Sequence, residues 1–315
     1  MTAVPVSGRP PGPAGADGGL APAAVRPAAG PGAGAFAADT AVVRVDEGRW
    51  RGELPQHWMS LVGIHGGYTS AVAARAVAEA IDDPTRPLRT LSAQFLRSPR
   101  PGPVDVDVTV ERRGRTLVVA SARVHQDDRT LVLVRTTSAG PAAGLVYDDG
   151  VRDRPRPAAP PAGAERFGFD TPVRHFRQVE VVMDPDIVPF SGHGPARLAA
   201  WLRPLGGGPV DAAWLVMASD VLPPASFART TGPTRAATLD YTVHLPVADP
   251  AAHVGPGDHV FLDCRSPLAA DGMAVEDGVL WGPDGTVLAV SRQTRLADER
   301  VPRSFAAMAP MSHPN

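Results

Sequence analysis

Asp220 lies in the segment VDAAWLVMASDVL, residues 210–222, which is apolar almost all round and so predicts a buried helix. Its carboxylate falls one turn beyond Val216 and Met217. Burial of a carboxylate is costly, and the C-terminal end of a helix is the negative pole of its dipole. A carboxylate kept there has a raised proton affinity and brings no packing benefit, which marks Asp220 as a candidate site residue. A frayed last turn ahead of Pro223 and Pro224, with Asp220 facing water, explains it about equally well. Gln293 poses the same question. Period-2 alternation over residues 286–296 puts Val287, Ala289, Ser291 and Gln293 on one face, with small neighbours that leave room for a ligand. The plain alternative is a polar strand end at the surface, since Arg292 and Arg295 flank it. Thr238 opens the next relevant strand on the face of Asp240, Thr242 and His244, away from the core, so only a bulge or a seam position brings it to a site. His65-Gly66-Gly67-Tyr68 starts a helix, where unpaired amides and the absence of Cβ atoms suit an oxyanion, although a glycine pair before a helix is also an ordinary loop. His65 fits a packing or loop role better than that of a base.

The elements that must position these residues occur in two rounds. In the first, an Ala-rich helix over 68–81 is stopped by Asp82, Asp83 and Pro84. Strands follow over 90–96, 104–112, 117–125 and 130–137, with Arg113-Gly114 and Asp127-Asp128 as turns. In the second, the helix at 210–222 precedes strands over 238–245, 259–266, 273–281 and 286–296, with Pro283-Asp284-Gly285 as a turn. HQDDRTLVLVRTTS overlays WGPDGTVLAVSRQT at an offset of 156, which puts Asp128 on Asp284 and Thr137 on Gln293. One helix and a four-stranded antiparallel meander, written twice, is the plan of a double hotdog. The expected class is α+β, a pseudo-dimer within one chain whose two sheets join edge to edge. Residues 1–38 read as a disordered Ala/Gly/Pro-rich tail, 39–146 as the first domain and 147–165 as a linker. The second domain then spans 166–298, and 299–315 is a C-terminal tail.

Of the 315 residues, 31 are basic and 33 acidic, for a formal charge of −2, so no nucleic-acid partner is expected. The one cysteine, Cys264, leaves neither an internal disulfide nor a Cys-based metal site, and no cofactor or metal is expected. No apolar run has the length of a signal core or a membrane span, so a cytoplasmic protein without a membrane partner is expected.

Gly66-Gly67-Tyr68 with its Ala-rich helix, FLRSPRPGPVDVDVTVERRGRTL, ASDVLPP, ATLDYTVHL and DGMAVEDGVLWGPDGTVLAVSRQTRL together resemble the acyl-CoA thioesterase II family of double-hotdog proteins, over about residues 42–297. The resemblance implies hydrolysis of an acyl-CoA by a water held by an Asp, a Thr or Ser, and a Gln. Here these match Asp220, Thr238 and Gln293, with His65, Gly66, Gly67 and Tyr68 as the implied substrate-binding segment. His65 departs from the commoner Asn or Phe before the glycine pair. Arg97 and Arg100 are candidates for the phosphates of coenzyme A. A role in lipid metabolism follows, and homo-oligomers of the pseudo-dimer are compatible with it.

Two other readings stay open at this point. One is a non-catalytic acyl-thioester-binding or biosynthetic accessory protein of the same fold. The other is a hotdog dehydratase, although neither the His-x-x-x-Gly-x-x-x-x-Pro pattern nor, with Asn315 the only asparagine, an Asp-x-Asn-Pro motif occurs. A serine hydrolase is disfavoured by the lack of a Gly-x-Ser-x-Gly elbow.

Overall fold

Alternating apolar and polar residues make strands the chief regular element of the fold, and a computed structural model describes residues 35–297 apart from 152, 153, 155–158, 169 and 170. The expected tails fall almost wholly outside the described residues, as does part of the expected linker. Residues 35–39, however, form a short helix, α1 (Ala35–Asp39), within and just after the stretch expected to be tail.

The first half contains β1 (Val43–Asp46), β2 (Arg49–Leu54), α2 (Gly66–Ile81), β3 (Leu88–Phe95), β4 (Gly102–Arg113), β5 (Leu117–Gln126) and β6 (Arg129–Ala139). The second repeats the order with β7 (Val179–Met183), β8 (Arg197–Pro204), α3 (Ala212–Ala218), β9 (Thr238–His244), β10 (Val260–Ala270), β11 (Met273–Trp281) and β12 (Val287–Leu296). Among the described residues these twelve strands make one antiparallel sheet, ordered β1-β2-β4-β5-β6-β3-β9-β12-β11-β10-β8-β7. Read inward from either edge, the order is the same. The two halves meet at β3 and β9, with Ala93 opposite Tyr241, so the sheet is continuous and the expected double hotdog is the observed fold.

Four strands are additional to the eight read from the sequence, and all lie toward the edges. β1 is exposed along its length, and β8 is a continuous buried run from Leu198 to Leu202, so neither shows the alternation that marks a half-buried strand. The sheet wraps α2, whose Ala71, Ala73 and Ala76 have no exposed surface, because small side chains let the helix sit close to the strands. Asp82, in the left-handed region at φ 49°, ends it.

The overlay of the two halves needs one correction. Asp127 and Asp128 both have positive φ, a two-residue turn, whereas Gly282 and Thr286 enclose a three-residue turn with Gly285 at φ 84°. The extra residue moves the equivalence of β6 and β12 from 156 to 157, so Thr136, not Thr137, corresponds to Gln293. Burial agrees, since Thr136 and Ser138 are buried like Gln293 and Arg295.

Candidate active site

α3 is shorter than the apolar run suggests. Asp211 caps it by accepting from the Trp214 N–H at 2.8 Å and ties it to α2 through Arg75 at 2.7 Å. The helix ends at Ala218, and Asp220 sits two residues beyond, in a tightened turn whose N–H donates to the Met217 carbonyl at 3.2 Å. Asp220 therefore lies outside the helix proper. It does not face water, being 8% exposed.

The turn is held inward by the start of α2. The Gly67 N–H donates to Asp220 Oδ2 at 2.9 Å. A Cβ on Gly67 would lie 2.8 Å from the Met217 carbonyl oxygen, and one on Gly66 would lie 3.0 Å from the Phe95 ring and 3.2 Å from Asp220 Oδ2. Both glycines are thus required by close approach, and the carboxylate of one half caps the positive end of a helix from the other.

His65 is the N-cap of α2. Its Nδ1 accepts from the Tyr68 N–H at 3.1 Å, which fixes the remaining proton on Nε2, and Nε2–H donates to the main-chain carbonyl of Asp220 at 3.0 Å. Both ring nitrogens are occupied, so His65 is a clamp for the Asp220 turn and no base for water. Burial pushes its pKa below the ordinary 6.5, against the pull of Asp220. His175, which the sequence reading did not single out, packs on it with ring centres 4.4 Å apart. Burial and then His65 push the His175 pKa well below the ordinary value. Tyr68, in the segment implied to bind substrate, sends its ring into the core instead. It stacks on Trp58 at 4.5 Å and its hydroxyl donates to the Asp39 carbonyl at 2.6 Å. Only its amide belongs to the site.

Thr238 reaches the site by a bulge. β9 pairs Asp240 with Thr294 but Thr238 with Arg295, so one extra residue, Leu239, turns the strand end and re-aims Thr238. Its hydroxyl donates to Gln293 Oε1 at 3.2 Å and accepts from Arg295 Nη1 at 2.8 Å. Gln293, 2% exposed, donates from Nε2 to Glu276 Oε1 at 2.9 Å.

Two ionic residues complete the cluster and were missed in the sequence. Arg295, taken as a surface flank, is 7% exposed, whereas Arg292 is exposed and pairs with Asp277 at 2.6 Å. The Arg295 guanidinium contacts Asp220 Oδ1 at 3.3 Å and Glu276 Oε1 at 3.0 Å. Burial alone would lower its pKa, but Glu276 and Asp220 outweigh burial and raise it. Glu276, 2% exposed, also accepts from the Ala225 N–H. The alternation that placed Gln293 inward also places Arg295 inward, which is the signal that was available. Asp220 and Thr238 therefore meet at one guanidinium, and Gln293 joins them through its bonds to Thr238 and Glu276.

Comparison with known proteins agrees with this architecture. The chain matches the acyl-CoA thioesterase N-terminal domain over residues 54–139 and the acyl-CoA thioesterase C-terminal domain over residues 151–297. An uncharacterized protein of Mycobacterium tuberculosis is 33% identical over 105 residues, a match spanning 32% of this chain and 36% of that one. A hotdog-fold protein from Alicyclobacillus acidocaldarius superposes with a TM-score of 0.75 at 21% identity, covering 85% of this chain and 99% of that one. A candidate thioesterase II from Thermobifida fusca YX gives 0.69 at 26%, covering 84% and 97%. The tesB protein of Mycobacterium avium subsp. paratuberculosis gives 0.64 at 25%, covering 84% and 98%. With both domain families matched in order across more than half its length, the chain belongs to the acyl-CoA thioesterase family of double-hotdog proteins.

Proposed function

We propose that this chain hydrolyses an acyl-CoA thioester by direct attack of water. The observation that carries the reading is the buried Asp220 carboxylate, brought to the N-terminus of α2 and joined through the Arg295 guanidinium to Thr238, whose hydroxyl donates to Gln293. A water donating to Asp220 and to the free lone pair of Gln293 Oε1 presents its oxygen to the thioester carbonyl carbon. Asp220 takes a proton as the C–O bond forms, the carbonyl oxygen becomes an oxyanion, and collapse breaks the C–S bond and passes that proton to the departing sulfur. The products are the free acid and the thiol. For the oxyanion, the donor at hand is Gly66 N–H, at the first helical position, which makes no hydrogen bond among the described residues.

The positions equivalent to Thr238, Glu276, Gln293 and Arg295 in the first half are Leu88, Ala120, Thr136 and Ser138. One site per chain follows. A cavity of about 530 Å³ lined by Arg97, Ser98, Arg100, Gln126, Asp127, Arg129 and Leu131 opens at the end of β3. It is tied to the site by the Ile64 N–H, which donates to the Pro99 carbonyl at 2.9 Å one residue before His65. Its three guanidinium groups suit the phosphates of coenzyme A.

A non-catalytic acyl-thioester-binding role is the second reading, favoured by the fact that Gly67 N–H, a natural oxyanion donor, is spent on Asp220. Thiol release from a chain-length panel of acyl-CoAs separates the two. Turnover on at least one member is expected, and binding without turnover on every member favours the second.

A further inference from the structure

A carboxylate only accepts hydrogen bonds, so the face of Gln293 turned to Glu276 must be its NH₂ group, at 2.9 Å, and Oε1 must point to Thr238. The Thr238 hydroxyl has one proton, which goes to Gln293, because the guanidinium on its other side can only donate. The polarity of the whole chain of bonds is thereby fixed by the buried pair of Glu276 and Arg295. We infer that Glu276 and Arg295 are positioning residues that lock the Gln293 amide and the Thr238 hydroxyl so that Gln293 keeps Oε1 turned to Thr238, with its remaining lone pair as an acceptor that orients water.

This rests on the thioesterase reading, and it adds a residue-level claim that a structural salt bridge does not make. Were the pair only structural, substitution would change stability and leave the polarity of Gln293 without consequence. Glu276→Gln keeps the shape but can present either an acceptor or a donor to Gln293, so one of the two contacts that hold the amide loses its fixed polarity. Removing one partner of a buried pair strands the other charge, whereas neutralising both in shape-matched residues is often harmless to stability.

The experiment measures kcat, KM and thermal stability for wild type, Glu276→Gln, Arg295→Met and the double variant, and side-chain amide proton exchange of Gln293 in ¹⁵N-labelled wild type and Glu276→Gln. Each single variant should lose about tenfold to a hundredfold in kcat with KM changed less than about threefold, the loss expected for a misoriented group. The double variant should regain stability without regaining kcat. Full recovery of kcat together with stability would overturn the inference. The exchange measurement is independent of turnover. Gln293 amide protons should be protected in wild type and lose that protection in Glu276→Gln, and free exchange in wild type would overturn the inference even if no thioester were hydrolysed. Failure of thiol release with protected amide protons would instead count against the thioesterase reading alone.

Discussion

Asp220 Oδ2 accepts the Gly67 amide proton at 2.9 Å, so a carboxylate from the second half of the chain caps a helix from the first. The candidate site therefore exists only where the halves meet, and changes on either side should be felt at Asp220.

Gly67→Ala tests that junction. Alanine favours a helix over glycine by roughly 1 kcal/mol, but its Cβ would press on the Met217 carbonyl, and overpacking costs about 1–3 kcal/mol. Sterics should win. Thermal denaturation should show a lower Tm, and kcat should fall by about a hundredfold as the Asp220 turn is displaced. A variant as stable and active as wild type would mean that the close approach has no consequence.

His65 and His175 make stability depend on pH. Both have folded pKa values below the ordinary 6.5, so the unfolded chain binds more protons than the folded one in the window beneath 6.5. Their contribution is full above 6.5 and is lost as pH falls toward the folded values. Asp220 and Arg295 face His65, and the Val221 and Met59 main chain faces His175. Denaturant midpoints between pH 7 and 5 should fall on acidification with a slope of up to two protons, about 2.7 kcal/mol per pH unit at its limit. His175→Phe should remove up to half of that slope. A flat profile over this range would contradict the account of the pair.

The helix and hairpin pattern was legible because each of the eight strands read from the sequence presents clear alternation or a turn signal. Of the remaining four, β8 lacks it, with five buried residues in succession, and β1 is exposed along its length, whereas β2 does alternate but is only six residues long. Asp220 and Gln293 stood out as polar groups on apolar faces, and the bulge at Leu239 supplied the re-aiming that Thr238 needed. What the sequence hid was ionic pairing over distance. Alternation along β12 puts Arg295 on the face of Gln293, but that Glu276 is its partner emerges only when β11 and β12 are laid side by side, and a single extra turn residue was enough to shift the repeat by one.

If the arginine-lined cavity takes the nucleotide end of coenzyme A, Arg97→Glu and Arg129→Glu should raise KM for an acyl-CoA by about tenfold and leave the same acyl group on a pantetheine thioester unaffected. Equal effects on both substrates would place the phosphates elsewhere.

The one-site arrangement predicts that Thr136→Ala and Ser138→Ala, at the equivalent positions of the first half, leave kcat within about twofold of wild type. Titration should give one acyl-CoA bound per chain to a turnover-deficient variant. Two equal sites per chain would contradict the asymmetry between the halves.

The most direct test compares thiol release by wild type and Asp220→Asn, with circular dichroism and Tm used to verify folding. Because the substitution keeps size and removes the proton acceptor, kcat should fall by at least about a hundredfold while acyl-CoA still binds. A folded Asp220→Asn variant that turns over at the wild-type rate would contradict the central claim.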